Sequence, residues 1–189
     1  MTDAQFNDAL RKMMSGDRQG LADIYNEYYK LVYSAALSVT CCRADAEDAV
    51  SDLFVKLWLG VTSGKIKFDP DRQGHKRWLA VCAKNTAVNI TRRRKNETAL
   101  EADDSDQPAA AEPADTKQES EMLTSVELKD ALGKLAEGER MVFHLKHFAG
   151  YTLREIAEIL SIPPGTAASR CRSAEEKLRS LMKEAFMYE

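Results

Sequence analysis

Three groups of residues in this 189-residue chain have the types and spacing for chemistry. His144 and His147 lie three apart, near enough on a helix to share a metal ion. No third ligand of suitable type stands near them in the sequence, so no metal is expected. Cys41, Cys42, Cys82 and Cys171 form neither a CxxC pair nor the even spacing of a disulfide framework, and are read as reduced thiols. The adjacent Cys41 and Cys42 could sense oxidants or bind metal, but a buried or merely tolerated pair is the better reading. The third group is cationic. From Lys65 to Lys95 the ten residues Lys65, Lys67, Arg72, Lys76, Arg77, Lys84, Arg92, Arg93, Arg94 and Lys95 are opposed only by Asp69 and Asp71. Such a run suits phosphates, whose counterions are released as Lys and Arg replace them. A nucleophile with its base, a catalytic carboxylate pair and a phosphate loop are not apparent, so the chain is not expected to be an enzyme or to need a cofactor.

The element that must carry those cations is a helix. Over Arg77–Arg94, Leu79, Cys82, Ala83, Thr86 and Ile90 form a small apolar stripe at helical spacing, with Arg77, Lys84, Asn85 and Arg92 opposite and Arg93, Arg94 and Lys95 at the end. A solvated helix with cations complementing its dipole would look similar. Before it, the loop from Gly64 to Lys76 holds Phe68, and an aromatic residue beside a cationic groove is what stacking on an unpaired base requires. Phe68 and Trp78 could equally be core plugs, and for Trp78 that reading is preferred. Two earlier helices should pack together beneath this one. Asp17–Val39 carries Leu21, Ile24, Tyr25, Tyr28, Leu31, Val32 and Ala35. The second pairs Ala49/Val50, Leu53/Phe54 and Leu57/Trp58, with Asp45 as its expected N-cap.

Asn96–Glu121 has nine acids opposed by Lys117 alone, together with Pro108, Pro113 and almost no large apolar residue. Such a segment cannot bury a core and reads as a flexible, charge-extended linker between residues 1–95 and 122–189. In the second unit, Leu153, Ile156, Ala157 and Leu160 share a helix face. Ser161-Ile162-Pro163-Pro164-Gly165 then breaks it, and a second helix, with Thr166 as expected N-cap, carries Ala167, Cys171, Ala174, Leu178 and Leu181. Ser169, Arg170, Arg172 and Ser173 stay off that stripe. This is the pattern of a DNA-reading helix-turn-helix, supported by helices around Ala131–Leu135 and Met141–Phe148. The expected fold is all-α, with two small helical domains.

Taken together, these motifs resemble the extracytoplasmic-function class of bacterial RNA polymerase sigma factors over nearly the whole chain. Asp45-Ala46-Glu47-Asp48-Ala49-Val50-Ser51-Asp52-Leu53-Phe54, ending at Leu57-Trp58, resembles the helix that docks on the polymerase clamp. Arg77-Trp78-Leu79 with Ala83-Lys84-Asn85 and Asn89-Ile90-Thr91-Arg92-Arg93-Arg94 resembles the segment that reads and opens the minus-ten element. Tyr151 to Ala157 with Leu160, Ile162 and Gly165-Thr166 resembles the minus-thirty-five helix-turn-helix.

The resemblance implies a cytoplasmic initiation factor whose partners are core RNA polymerase, promoter DNA in duplex and melted form, and an inhibitory anti-sigma protein, often held in the membrane in relatives. It implies polymerase binding by Asp48, Asp52, Phe54, Leu57 and Trp58. Minus-ten binding and melting fall to Phe68, Arg77, Lys84, Asn85, Arg92, Arg93 and Arg94, and minus-thirty-five binding to Thr166, Ser169, Arg170 and Arg172. Some positions depart from the family. Ser173, Glu175 and Glu176 stand where further cations are common, and would repel phosphate unless they face away. Ser161 stands where Gly is usual, which is tolerable if its backbone is not strongly left-handed. An operator-binding regulator and a protein-interaction adaptor without DNA contacts remain the alternatives.

Overall fold

The computed structural model describes residues 1–66, 74–101 and 128–186. Its elements are α1 (Asp3–Met14), α2 (Gln19–Thr40), α3 (Arg43–Thr62), α4 (His75–Glu101), α5 (128–134), α6 (Glu137–His147), α7 (Leu153–Leu160) and α8 (Pro164–Phe186). The fold is all-α, as expected. α4 runs past Lys95, where the sequence reading ends the first unit, and residues 102–127, which include most of the expected 96–121 linker and the start of the expected second unit, lie outside the described residues.

α1 has no counterpart in the sequence reading. Its start is a capping box: the Thr2 hydroxyl accepts from the Gln5 N–H at 3.3 Å, and the Gln5 side-chain oxygen accepts from the Thr2 N–H at 2.8 Å. The Thr-x-x-Gln spacing was the available signal. α1 crosses α2 at Gly20, where a Cβ would stand 2.2 Å from the Ala9 carbonyl oxygen, so no side chain is tolerated there.

α2 is the axis of the fold, with α1, α3, α4 and α6 all packed on it. It meets them with Ile24, Tyr28, Leu31, Val32, Ala35 and Ala36, all buried, while the small buried Ser34 and Ser38 let neighbours approach. A polar chain crosses this core. The Tyr28 hydroxyl bonds to His75 Nε2, and His75 Nδ1 pairs with Asp3, which ties the first residue of α4 to α1. The arrangement looks like a relay, but the Tyr28 hydroxyl is sealed in the core, where burial raises the phenol well above its ordinary pKa and keeps it protonated.

Asp45 is not the cap of α3. The helix begins at Arg43 after an extended Cys42 with no side-chain cap, and Asp45 is buried within the first turn, paired with Arg94 of α4 at 2.7 Å. The pair links the first turn of α3 to the later part of α4, beside the small-residue cluster Ala36, Ala46, Ala49, Ala87 and Ile90.

The second unit packs onto the first rather than standing apart. Met141, Val142, Leu145, Ile156 and Ile159 belong to the same apolar cluster as Leu31, Leu53 and Leu79. Arg140 is the polar fastener. Its Nε donates to the Ser38 carbonyl of α2, while Nη1 reaches the carbonyls of Leu132, Gly133 and Leu135 at 3.2–3.4 Å. One side chain thereby satisfies the carboxyl ends of two helices.

His144 sits in this junction, with its Nδ1 lacking a hydrogen-bond partner. Burial, with the nearby Arg140 charge adding to it, pushes its pKa from 6.5 down to about 4. The folded protein therefore holds a neutral imidazole that the unfolded chain protonates at mild acidity. Stability from this source is full above the unfolded pKa and drains as pH falls from about 6.5 towards about 4. Urea denaturation should show a loss of about 2 kcal/mol between about pH 7 and about pH 5, and His144→Gln should flatten that slope. An equal slope in the variant would assign the loss to other groups.

Candidate nucleic-acid interface

α4 presents the cationic face that its pattern predicts. Leu79, Ala83, Thr86 and Ile90 are buried against α2 and α3, with Cys82 half-buried, while Arg77, Asn85, Arg92, Arg93 and Lys95 are exposed. Trp78 is half-buried against the core, as the plug reading has it. Val81 and Val88 are also exposed, and at 3.6 residues per turn they fall between Arg77, Lys84 and Arg92 on the same face. The face is thus cationic with two apolar positions inside it, which the sequence reading missed. Arg93 and Arg94 lie off this face: Arg93 lines a cleft with Asp48 and Asp52 of α3, and Arg94 is held by Asp45. Phe68 lies outside the described residues.

The expected polymerase-docking set divides. Asp48 is exposed and Asp52 half-exposed, the latter 3.5 Å from Lys56 one turn on. Phe54 and Leu57, however, are buried at 4% and 2% exposure, and Trp58 is packed partly against the core. In the free chain these three do not form an exposed surface: the 3–4 stagger that marks them as apolar is the stripe α3 turns inward, towards Tyr25 and α2. The apolar side chains α3 does offer are Val55 and Leu59, each 57% exposed. An apolar residue out of phase with the core stripe was the signal for them.

In the second unit the helix-turn-helix is built by two local devices. Thr152 caps α7, its hydroxyl accepting from the Glu155 N–H at 3.3 Å while the Glu155 carboxylate accepts from the Thr152 N–H at 2.9 Å. α7 ends at Ser161 in the left-handed conformation (φ 51°, ψ 49°), and the Ile162 N–H returns to the Ala157 carbonyl at 2.9 Å. The condition under which Ser161 would be harmless is therefore not met. α8 then starts at Pro164, two residues before the expected cap. Pro163 supplies the carbonyl that Thr166 and Ala167 bond to, and Pro164 takes the first-turn position where a missing N–H costs nothing. Ala157 and Ala167 are both buried where α7 and α8 meet.

On α8, Ser169 and Arg172 are exposed and Thr166 is half-exposed, so these three share the outward face. Arg170 turns sideways. Its guanidinium lies against Gly138, where a Cβ would meet Nη1 at 3.1 Å. It lines a cleft between the units of about 240 Å³ together with Arg77, Lys84 and Glu137. Lys84 is itself paired with Glu137 across that cleft. Two of the three residues that depart from the family on α8 face away from the outward side: Ser173 donates to Glu139 at 2.7 Å, and Glu175 pairs with Lys146 at 3.1 Å, so both face α6 rather than a duplex. Glu176 is exposed.

A cationic helix in one unit and a helix-turn-helix in the other define a bipartite DNA-reading protein. Comparison with known proteins agrees. The model of sigma-70 region 2 matches residues 24–97 and that of sigma-70 region 4 matches residues 125–178. The chain is 27% identical to the ECF RNA polymerase sigma factor SigW of Bacillus subtilis, over 93% of this chain and 95% of that one. It is 28% identical to the ECF RNA polymerase sigma-E factor of Haemophilus influenzae, over 90% and 92%. Among solved structures it is similar to CnrH in complex with the cytosolic domain of CnrY (TM-score 0.62, 22% identity, 95% of this chain and 98% of that one). It is also similar to the sigma factor RpoE in complex with the anti-sigma factor NepR from Bartonella quintana (TM-score 0.54, 24% identity, 85% and 97%). The chain belongs to the extracytoplasmic-function class of the sigma-70 family of RNA polymerase sigma factors.

The turn geometry makes a direct prediction. Ser161→Gly removes a Cβ from a left-handed position at the loss of only a long, 3.5 Å hydroxyl contact to the Glu158 carbonyl. It should stabilise the protein by about 1 kcal/mol, seen as a rise in Tm of a few degrees. A Tm that is unchanged or lower would show the strain to be absorbed elsewhere.

Proposed function

We propose that this chain binds core RNA polymerase and directs it to promoters by reading two DNA elements, one with each unit, catalysing no covalent chemistry itself. The observation that carries this reading is the pairing of an exposed cationic face on α4 with an outward helix-turn-helix face on α8 in one chain whose halves match sigma regions 2 and 4. Residues 1–95 would dock the polymerase and engage the minus-ten element, and residues 122–189 the minus-thirty-five element.

On α4, Arg77, Asn85, Arg92 and Lys95 stand exposed to meet the DNA backbone, with Val81 and Val88 offering apolar contact to bases, while Arg93 is turned towards Asp48 and Asp52 of α3. Phe68 would take up an unstacked base as strands part; unstacking costs a few kcal/mol, which the contacts made afterwards offset. On α8, Thr166, Ser169 and Arg172 would meet the upstream duplex in the major groove. Lys84 and Arg170 are engaged at the cleft between the units, so their use on DNA requires α6 to part from α4. The clamp-facing surface of α3 is Asp48, Asp52, Val55 and Leu59. Exposed apolar side chains at a site used only on demand invite a cover. The solved neighbours, one bound to a cytosolic domain and one to an anti-sigma factor, support an anti-sigma partner, which we place at a membrane, with the chain itself cytoplasmic and serving a stress- or signal-responsive regulon.

Purified core polymerase from the same organism, given a pool of promoter fragments, should yield defined start sites sharing two upstream elements only when the chain is added. DNA binding by the chain alone without stimulation of core would overturn the reading in favour of an operator-binding regulator. A Val55→Asp/Leu59→Asp double variant should lose stimulation by more than roughly tenfold while keeping its Tm, since both residues are exposed. Arg92→Ala should weaken promoter complexes and reduce the slope of log affinity against log salt by about one. Full activity of the double variant would place the docking surface elsewhere.

A further inference from the structure

The side of α8 turned away from the proposed DNA face carries a cluster that sigma-factor activity does not use. Cys171 and Glu175, one turn apart on α8, meet His147 at the end of α6. His147 Nε2 lies 3.0 Å from Glu175 Oε1, and the Cys171 thiol donates to that same oxygen at 3.2 Å. The imidazole nitrogen, thiol sulfur and carboxylate oxygen all lie within 4.8 Å of one another. A tetrahedral zinc ion, with bonds of roughly 2.0 Å to nitrogen and oxygen and 2.3 Å to sulfur, holds its ligand atoms roughly 3.3–3.8 Å apart. The triangle is therefore near the required size.

Two further observations bear on this cluster. The first is that it already attracts a cation: the Lys146 ammonium donates to Glu175 Oε1 at 3.1 Å and to Cys171 Sγ at 3.4 Å. The second is access and order. Cys171 is buried, whereas His147 and Glu175 are exposed by more than a third, so an ion can enter from solvent without unfolding the unit. The Phe143 ring, 4.5 Å from the His147 ring, limits how the imidazole turns.

We propose that His147, Cys171 and Glu175 form a divalent-cation site of zinc type that fastens α8 to α6. On binding, the Cys171 thiol gives its proton to solvent and Lys146 leaves for water. The ion takes nitrogen, sulfur and oxygen from the protein, and water completes the tetrahedron. The donor set, with a thiolate and an imidazole, selects Zn2+ or Co2+ over Mg2+ or Ca2+, which take oxygen ligands. Because Arg170 and Arg172 flank Cys171, the ion fixes the backbone that bears them.

Co2+ titration of the full-length, reduced protein tests this. One equivalent should produce the thiolate-to-cobalt charge-transfer absorption and the visible bands of a tetrahedral ion, and Zn2+ should abolish both. A Cys41→Ser/Cys42→Ser/Cys82→Ser variant should keep the spectrum. Cys171→Ser should lose the charge-transfer band, and the exposed His147→Ala should weaken Co2+ binding by roughly tenfold or more. Lys146→Met should tighten it, because the competing ammonium is gone. Absence of the spectrum in the parent protein, its survival in Cys171→Ser, or its loss in the triple Cys variant would overturn the site. If Cys171→Ser does not fold, unaltered affinity in both His147→Ala and Lys146→Met overturns it equally.

Discussion

The molecule depends on one helix, α2, that is packed by four others at once. Over its length α2 is pressed by α1, α3, α4 and α6, and the residues that meet them graduate from bulky Tyr28, Leu31 and Val32 to Ser34, Ala35, Ala36 and Ser38. Small residues let helix axes approach, and close packing gains dispersion contacts along the seam. That gradient decides where α6 can sit. Met141 reaches Ser38, whose hydroxyl also turns back onto its own helix at Ala35, and Arg140 closes the helix end beside it. The second unit is thus placed by the small-residue end of a helix belonging to the first.

The same constraint shapes α4. It must bury Leu79, Ala83 and Ala87 against α2 and α3, so its cations are confined to the remaining arc. Arg94 falls off that arc, and it is used instead on the buried Asp45, a carboxylate that would be costly to leave unpaired. A run of like charge such as Arg92-Arg93-Arg94 is therefore not one functional unit: the helix turn assigns the middle and outer residues to solvent or to structure by angle alone. The His75 chain to Tyr28 and Asp3 fixes where α4 starts, and so where that arc points.

How much was legible follows from which signals are local. The apolar stripes of α2, α3 and α4, the cationic face, and the break between α7 and α8 are periodicity and turn chemistry, and each is in place. Phe54 and Leu57 are buried where an exposed docking side was expected, because the family motif marks a helix and does not separate its outward side from the side that packs; Val55 and Leu59, out of phase with the core stripe, are the exposed ones. The caps placed at Asp45 and Thr166 failed because tertiary pairing claimed the first and the Pro163-Pro164 pair moved the helix start ahead of the second. Phe68 and most of the acidic segment lie outside the described residues.

Glu175 shows most clearly what one dimension hides. By sequence it is a misplaced acid on a DNA-reading helix, and electrostatics alone would make it a liability there. Its angle on α8 matches Cys171, a core position, so it must face the supporting helix wherever α8 is anchored by its apolar stripe. Lys146 and His147 then give it partners, and a carboxylate beside an ammonium repels no phosphate on the opposite side of the helix. The acid is compatible with DNA reading because the core stripe fixes the rotation of α8, and that rotation brings together the three donor atoms from two helices. Spacing along the chain shows only His144 and His147 as a pair, but burial removes His144 into the junction and leaves His147 to the surface.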